Sequence, residues 1–195
     1  MKSIEIKSNN RENTGKTSTN SLRKQGNVPC VLYGGNEVVH FSAKEIGFKD
    51  LVYTAAAHTV VLNFGDKKVN AILQDIQFHP VSEVILHADF LELQENKKIR
   101  MDIPVKIIGD SPGVQQGGKI LIRIRKLSLM AYPKNMPSFV EVDISELQLG
   151  KSISVETLLN DQYEILNSPL VSVVSVNVPR VKIEVEEEDE EGEEG

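Results

Sequence analysis

Along much of this chain apolar and polar residues alternate with a period of two, the mark of half-buried β-strands. Ile4 and Ile6 alternate with polar neighbours, and Val28 to Tyr33 is a nearly continuous apolar run suited to a strand covered on both faces. Between them, Thr17 to Gln25 predicts a short helix stopped by Gly26. Ser42-Ala43-Lys44-Glu45 has capping-box spacing and predicts a helix from Ala43 to about Thr54, with Ile46, Leu51 and Phe48 toward the core. His58 to Phe64 and Lys68 to Phe78 flank Gly65-Asp66-Lys67 as a hairpin, and Val84 to Leu93 follows as another strand. The order strand, helix, strand, strand, helix, hairpin, strand is too β-rich and short-linked for a doubly wound sheet. It predicts a small, twisted, partly closed barrel of six strands, a binding platform more than a cofactor crevice.

The polar stretch Gln94 to Lys98 marks a boundary. Beyond it, Ile99 to Ile108, Ile120 to Met130, Phe139 to Ile144, Ile153 to Val155 and Leu170 to Val178 alternate again, with Gly and Pro in the gaps, so the second half reads as nearly all β. Within Ile120 to Leu129 the apolar parity changes at Arg125-Lys126, as at a β-bulge or in a strand that changes faces. The fold class is therefore mainly β with short helices (α+β). The expected units are a barrel-like domain over 1–94, a β domain over 95–183 and a tail over 184–195.

Composition changes this picture in one respect. The 195 residues suffice for two modest domains, and the net charge of -6 argues against a polyanionic partner. The tail EVEEEDEEGEEG, however, holds nine of the 28 acids and no base, which leaves 22 bases against 19 acids, or +3, over residues 1–183. Such a run repels itself and is expected to be disordered. Residues 1–35 hold six bases and two acids, so positive charge gathers at the start of the chain. One cysteine, Cys30, excludes an intramolecular disulfide framework and fits a reducing compartment. The polar start MKSIEIKSNN lacks the apolar core of a signal peptide, and no apolar stretch is long enough to span a membrane, so a cytoplasmic protein is expected.

The candidate chemistry is that of binding. RENTGKTSTNSLRKQGNVPCVLYGG, Arg11 to Gly35, sets Arg11, Lys16, Arg23 and Lys24 against the single acid Glu12, as suits a loop and helix laid on phosphates. Thr14-Gly15-Lys16-Thr17-Ser18 is no phosphate-binding loop, since Asn10 stands where the motif needs glycine. The histidines do not have metal-site spacing, Cys30 has no partner cysteine, and neither a nucleophile elbow nor a carboxylate pair stands out, so no enzyme is expected. On an alternating strand His87 and Asp89 share one face, opposite Leu86, Ala88 and Phe90, and can reach base edges or ribose hydroxyls. An ordinary solvated face explains the same alternation, and the pattern by itself favours it. Gln74, Gln77 and His79 either read RNA or decorate a strand; Tyr33 either packs as core or stacks on nucleic acid beside Gly34 and Gly35.

Arg11-x3-Gly15-Lys16, Leu22-Arg23-x2-Gly26-x2-Pro29, Tyr33-Gly34-Gly35, Gln74-Asp75-x-Gln77-x-His79-Pro80 and His87-x-Asp89-Phe90 occur in this order. Together they resemble the bacterial large-subunit ribosomal protein twenty-five family in its long, general stress protein CTC form. Ile103-Pro104-Val105, Gly109, Gly113, Gly117-Gly118, Pro137 and Val142-Asp143-Ile144-Ser145 with Leu147 resemble its C-terminal β domain. The resemblance implies a ribosome-associated protein whose N-terminal domain binds the loop E region of 5S ribosomal RNA, beside other large-subunit components, with no small-molecule substrate and no cofactor beyond RNA-bound magnesium. It implies phosphate contacts at Arg11, Lys16 and Arg23, a backbone or ribose contact at Tyr33, a contact at His79, and groove-edge contacts at His87 and Asp89. Asn20-Ser21 and Phe78 stand where family members often carry basic residues, so fewer phosphate contacts are expected, and Lys24 is a candidate to compensate. The alternatives are a transfer-RNA-binding module of related fold and a β-rich stress or adaptor protein with a protein partner. For the second domain, ribosomal RNA, a neighbouring protein and a solvated face all remain open around Arg123, Arg125 and Lys126.

Overall fold

The computed structural model describes residues 2–178, apart from 36, 55, 66 and 161; the acidic tail over 184–195 lies outside the described residues. The first half contains β1 (Lys2–Asn10), α1 (Lys16–Lys24), β2 (Asn27–Tyr33), β3 (Val39–Lys44), α2 (Lys49–Val52), β4 (His58–Asn63), β5 (Lys68–Phe78) and β6 (Ile85–Glu92). The strands form a closed barrel in the order β1-β3-β2-β6-β5-β4. Parallel pairing of β1 with β4, from Lys2↔His58 to Lys7↔Asn63, closes it, so the expected partial closure is in fact complete.

Alternation selects what fills the interior. Phe41, Phe90, Val60, Leu62 and Ala71 are fully buried, and Phe48 joins them from a 3-10 turn over Glu45–Phe48. Phe90 is the hub, its ring centroid 5.6 Å from Phe41 and 6.1 Å from Phe48. Gly26 ends α1 as expected, at φ 71, where a side chain would be strained.

One element is misplaced by its sequence signal. Ser42 and Ala43 do not open a helix. They continue β3, which is paired on both sides, Ser42 with Asn9 of β1 and with Pro29 of β2. Ladder bonds to two strands and the burial of Phe41 and Ala43 outweigh a local cap, and helical structure starts only at Glu45. As expected, Phe48 and Leu51 are buried, but Ile46 is 84% exposed.

The second half comprises β7 (Ile99–Ile108), α3 (Pro112–Gln115), β8 (Lys119–Ile122), β9 (Lys126–Ala131), β10 (Val140–Asp143), β11 (Ser152–Ser154), β12 (Glu164–Ile165) and β13 (Ser172–Asn177). These form two sheets, ordered β10-β7-β9-β12 and β11-β13-β8. The parity change at Arg125-Lys126 is thus neither a bulge nor a face change within one strand: the chain leaves one sheet after β8 and enters the other at β9. Between the sheets lies a core containing Ile103, Leu127, Leu129, Val142, Val155 and Val173. Ile72 of β5 and Ala57, from the barrel side, are buried in this same core. Leu93 N–H donates to Asn70 O at 2.9 Å, and Ala57 N–H to Ser138 O at 3.3 Å.

Replacing Phe90 by alanine is expected to cost about 3–5 kcal/mol in urea unfolding, while Ile46→Ala stays within about 0.5 kcal/mol.

Candidate nucleic-acid interface

β2, β6 and β5 are neighbours in the barrel wall, so their outward residues share one surface. Ala88 and Phe90 are buried inside, which turns His87 and Asp89 outward. The β5–β6 register sets Gln77 opposite His87 and Asp75 opposite Asp89, and the β2–β6 register sets Tyr33 opposite Leu91. His87 Nδ1 lies 2.7 Å from Asp89 Oδ1. That approach has the distance of an ion pair without the alignment of a hydrogen bond, so the shielded Oδ1 has no hydrogen-bond partner among the described residues. Burial, then the Asp89 and Asp75 carboxylates, push the half-buried Tyr33 phenol above its ordinary value. Phenol, carboxylates, imidazole and the Gln77 amide make a surface that both donates and accepts hydrogen bonds.

The first helix borders this face. Arg23 Nε and Nη2 donate to Leu86 O at 3.1 and 2.8 Å, a fork that pins α1 to β6 next to His87. Lys16 and Lys24 stay exposed on the same helix. Arg11 Nη2 donates to Asn13 O and to Thr19 Oγ1, both at 3.1 Å, which folds the preceding loop onto α1. Arg11 Nε is buried without a partner among the described residues. Gly15 caps α1 with no side-chain bond and no acid follows in the first turn, so the leading amides remain available to an anion. Apart from Gly15 and its two chain neighbours, nothing lies within 4 Å of where a Cβ on Gly15 would sit, so a phosphate can approach closely.

Residues 6–90 match the model of the ribosomal L25p family, and residues 98–180 match that of the ribosomal protein TL5, C-terminal domain. The large ribosomal subunit protein bL25 of Cytophaga hutchinsonii is 43% identical over 180 residues, covering 92% of this chain and 94% of its own. The protein of the same name from Amoebophilus asiaticus is 48% identical over 180 residues, 92% of each chain, and that of Bacteroides fragilis 42% over 185 residues, 92% and 94%. The chain belongs to the ribosomal L25p family.

In this L25p-family chain not every expected site residue shares the face. His79 closes the β5–β6 turn, its Nδ1 accepting from the backbone N–H groups of Val81 at 3.3 Å and Ser82 at 3.2 Å. That arrangement leaves the proton on Nε2, directed away from the turn. Gln74 falls where the β5–β6 register shifts between Leu73 and Asp75, and it lines a groove with Arg100, Asp102 and Lys126 of the second half. Gly34 serves the chain's own turn, at φ 90, where a side chain would be strained and a Cβ would crowd Leu91 Cδ1; at Gly35 a Cβ would meet only the movable end of the Glu92 side chain. Burial pushes the Cys30 thiol far up, which makes it inert. No group of three His, Cys, Asp or Glu side chains able to hold a metal occurs among the described residues. Sequence reasoning missed Asp75 as a site residue, although Asp75-x-Gln77 repeats the spacing of His87-x-Asp89 on the facing strand.

Tyr33 is expected to ionise at higher pH than an exposed tyrosine in ultraviolet absorbance titration. Because its folded pKa is raised, its contribution to stability is complete below about pH 10 and is lost as pH rises through the folded value. Tyr33→Phe is expected to remove that part of the alkaline destabilisation.

Proposed function

We propose that this chain binds 5S ribosomal RNA at its loop E region, through the outer face of β2, β6 and β5 together with α1, as a structural component of the large ribosomal subunit and not an enzyme. Residues 1–94 form the RNA-binding unit and 95–183 a second β unit in contact with neighbouring ribosomal components. The supporting observation is the outward set Tyr33, Gln77, His87 and Asp89 on one rigid wall, flanked by a helix that carries Lys16, Lys24 and unpaired leading amides.

The chemistry divides by position. Lys16, Lys24, the α1 amides and the outer edge of Arg11 hold phosphates, which supplies affinity without reading sequence. Asp89 accepts from base amino groups or ribose hydroxyls, His87 and Gln77 donate at the groove edge, and Tyr33 offers its hydroxyl to ribose or backbone. RNA-bound magnesium reached through water is a second way for Asp89 and the facing Asp75 to meet the polyanion. Arg23 positions the helix, since its fork is committed to Leu86 O. His79 sits at the rim and offers Nε2–H alone. Asn20, Ser21 and Phe78 are all exposed where the resemblance leads one to expect cations, so phosphate contacts are few and Lys24 carries a larger share.

Titration against 5S ribosomal RNA and transfer RNA over a salt series tests this reading. The wild-type chain is expected to prefer 5S RNA. Asp89→Asn with His87→Ala should weaken that binding by about 30-fold or more with little change in salt slope, since each of the two lost base-edge contacts is worth about 1–3 kcal/mol. Lys16→Gln with Lys24→Gln should flatten the slope by about 1.4 to 1.8. Equal, weak binding to both RNAs by the wild type would sink the proposal and turn the search toward protein partners.

A further inference from the structure

The link between the two sheets of the second half is a short basic segment, Arg123-Ile124-Arg125-Lys126, on a fixed backbone. Ile124 packs against the core, Arg123 N–H donates to Val173 O at 2.9 Å, and Val105 N–H donates to Arg125 O at 2.9 Å. Arg123, Arg125 and Lys126 are exposed, as is Arg100 on β7. None of the four has a carboxylate within 4.0 Å among the described residues, where the Lys–Glu pairs are Lys68–Glu5, Lys106–Glu141 and Lys134–Glu95 and His87 lies against Asp89. Unpaired arginines held on a rigid segment lose little entropy on meeting a phosphate, and the guanidinium fork suits it.

Their position gives them a role. Arg100 and Lys126 line a groove of about 310 Å³ whose other wall is Gln74, Asp75 and Ile76 of β5, and the exposed Arg125 adjoins Lys126 in the chain just outside that lining. Asp75 belongs to the proposed RNA face as well, so groove and face are continuous. Asp102, the carboxylate on the second half's side, accepts from Ser128 Oγ at 2.5 Å and is turned to that partner. Ile72 and Ala57, buried in the second core, hold this wall at a constant bearing to the barrel.

We propose that Arg100, Arg125 and Lys126 form a phosphate clamp that receives the backbone of the RNA beyond the segment seated on the barrel. This inference rests on the RNA reading above and extends it to a half of the chain with no assigned ligand. The occupant is the phosphate backbone of the same RNA, contacted without regard to base sequence.

The test compares the full chain with R100Q/R125Q/K126Q on two RNAs: intact 5S ribosomal RNA and a fragment trimmed to the loop E core. Loss of three phosphate contacts is expected to lower the salt slope on intact RNA by about 2 to 3. On the trimmed fragment the variant should match the wild type, and R100K/R125K/K126R should restore the slope on intact RNA. Thermal unfolding, unchanged across the set, separates lost contacts from a damaged fold. A wild-type slope retained by the triple Gln variant on intact RNA overturns the clamp while leaving the barrel reading in place. An equal loss on the trimmed fragment overturns it too, because the cations would then act within the seat. No preference of the wild type for 5S RNA over transfer RNA removes both.

Discussion

Closure of the first sheet constrains everything built upon it. Once β1 pairs with β4, six strands surround Phe41, Phe48 and Phe90, and each strand must place alternate residues inward. A shift of one residue in β6 would bring His87 and Asp89 into an aromatic interior and expose Phe90, at a cost the fold cannot meet. The face proposed to bind RNA is therefore a by-product of the core: the residues left for it are those the barrel cannot swallow. The buried Phe90 and the outward Asp89 are adjacent readings of one register.

Much of the architecture was legible because period two is a strong signal when both faces differ. β5 matches its expected span, and α1 and β6 differ from theirs by a residue or so at their ends. The capping-box pattern at Ser42 failed because such a motif speaks only for its own turn, whereas Ser42 is claimed by Pro29 and Asn9, 13 and 33 residues earlier in the chain. The parity change before Lys126 was visible, but which sheet each strand would join depends on long-range pairing with β13 and β7, and no local pattern records it.

The candidate site was readable as an inventory and less so as an arrangement. Sequence could say that His87 and Asp89 share a face. It could not say that Asp75 stands opposite Asp89, because register across a hairpin is fixed by the turn and the bulge at Gln74. Nor could it divide the arginines. Arg23 and Lys24 look equivalent in a basic run, yet the guanidinium of Arg23 is spent on a main-chain carbonyl while the ammonium of Lys24 stays exposed. His79 likewise serves its own turn with one ring nitrogen and is left with one outward donor. Gly34, which looked like room for a ligand, answers its own left-handed turn, whereas Gly15, less conspicuous, faces open space.

A sheet that returns to its own first strand has no bare edge. Open sheets would otherwise offer one another rows of unused amides and carbonyls, the usual template for sheet-to-sheet association. Here the barrel's ladder is spent within the barrel, so the face proposed for RNA is complete in the solitary chain.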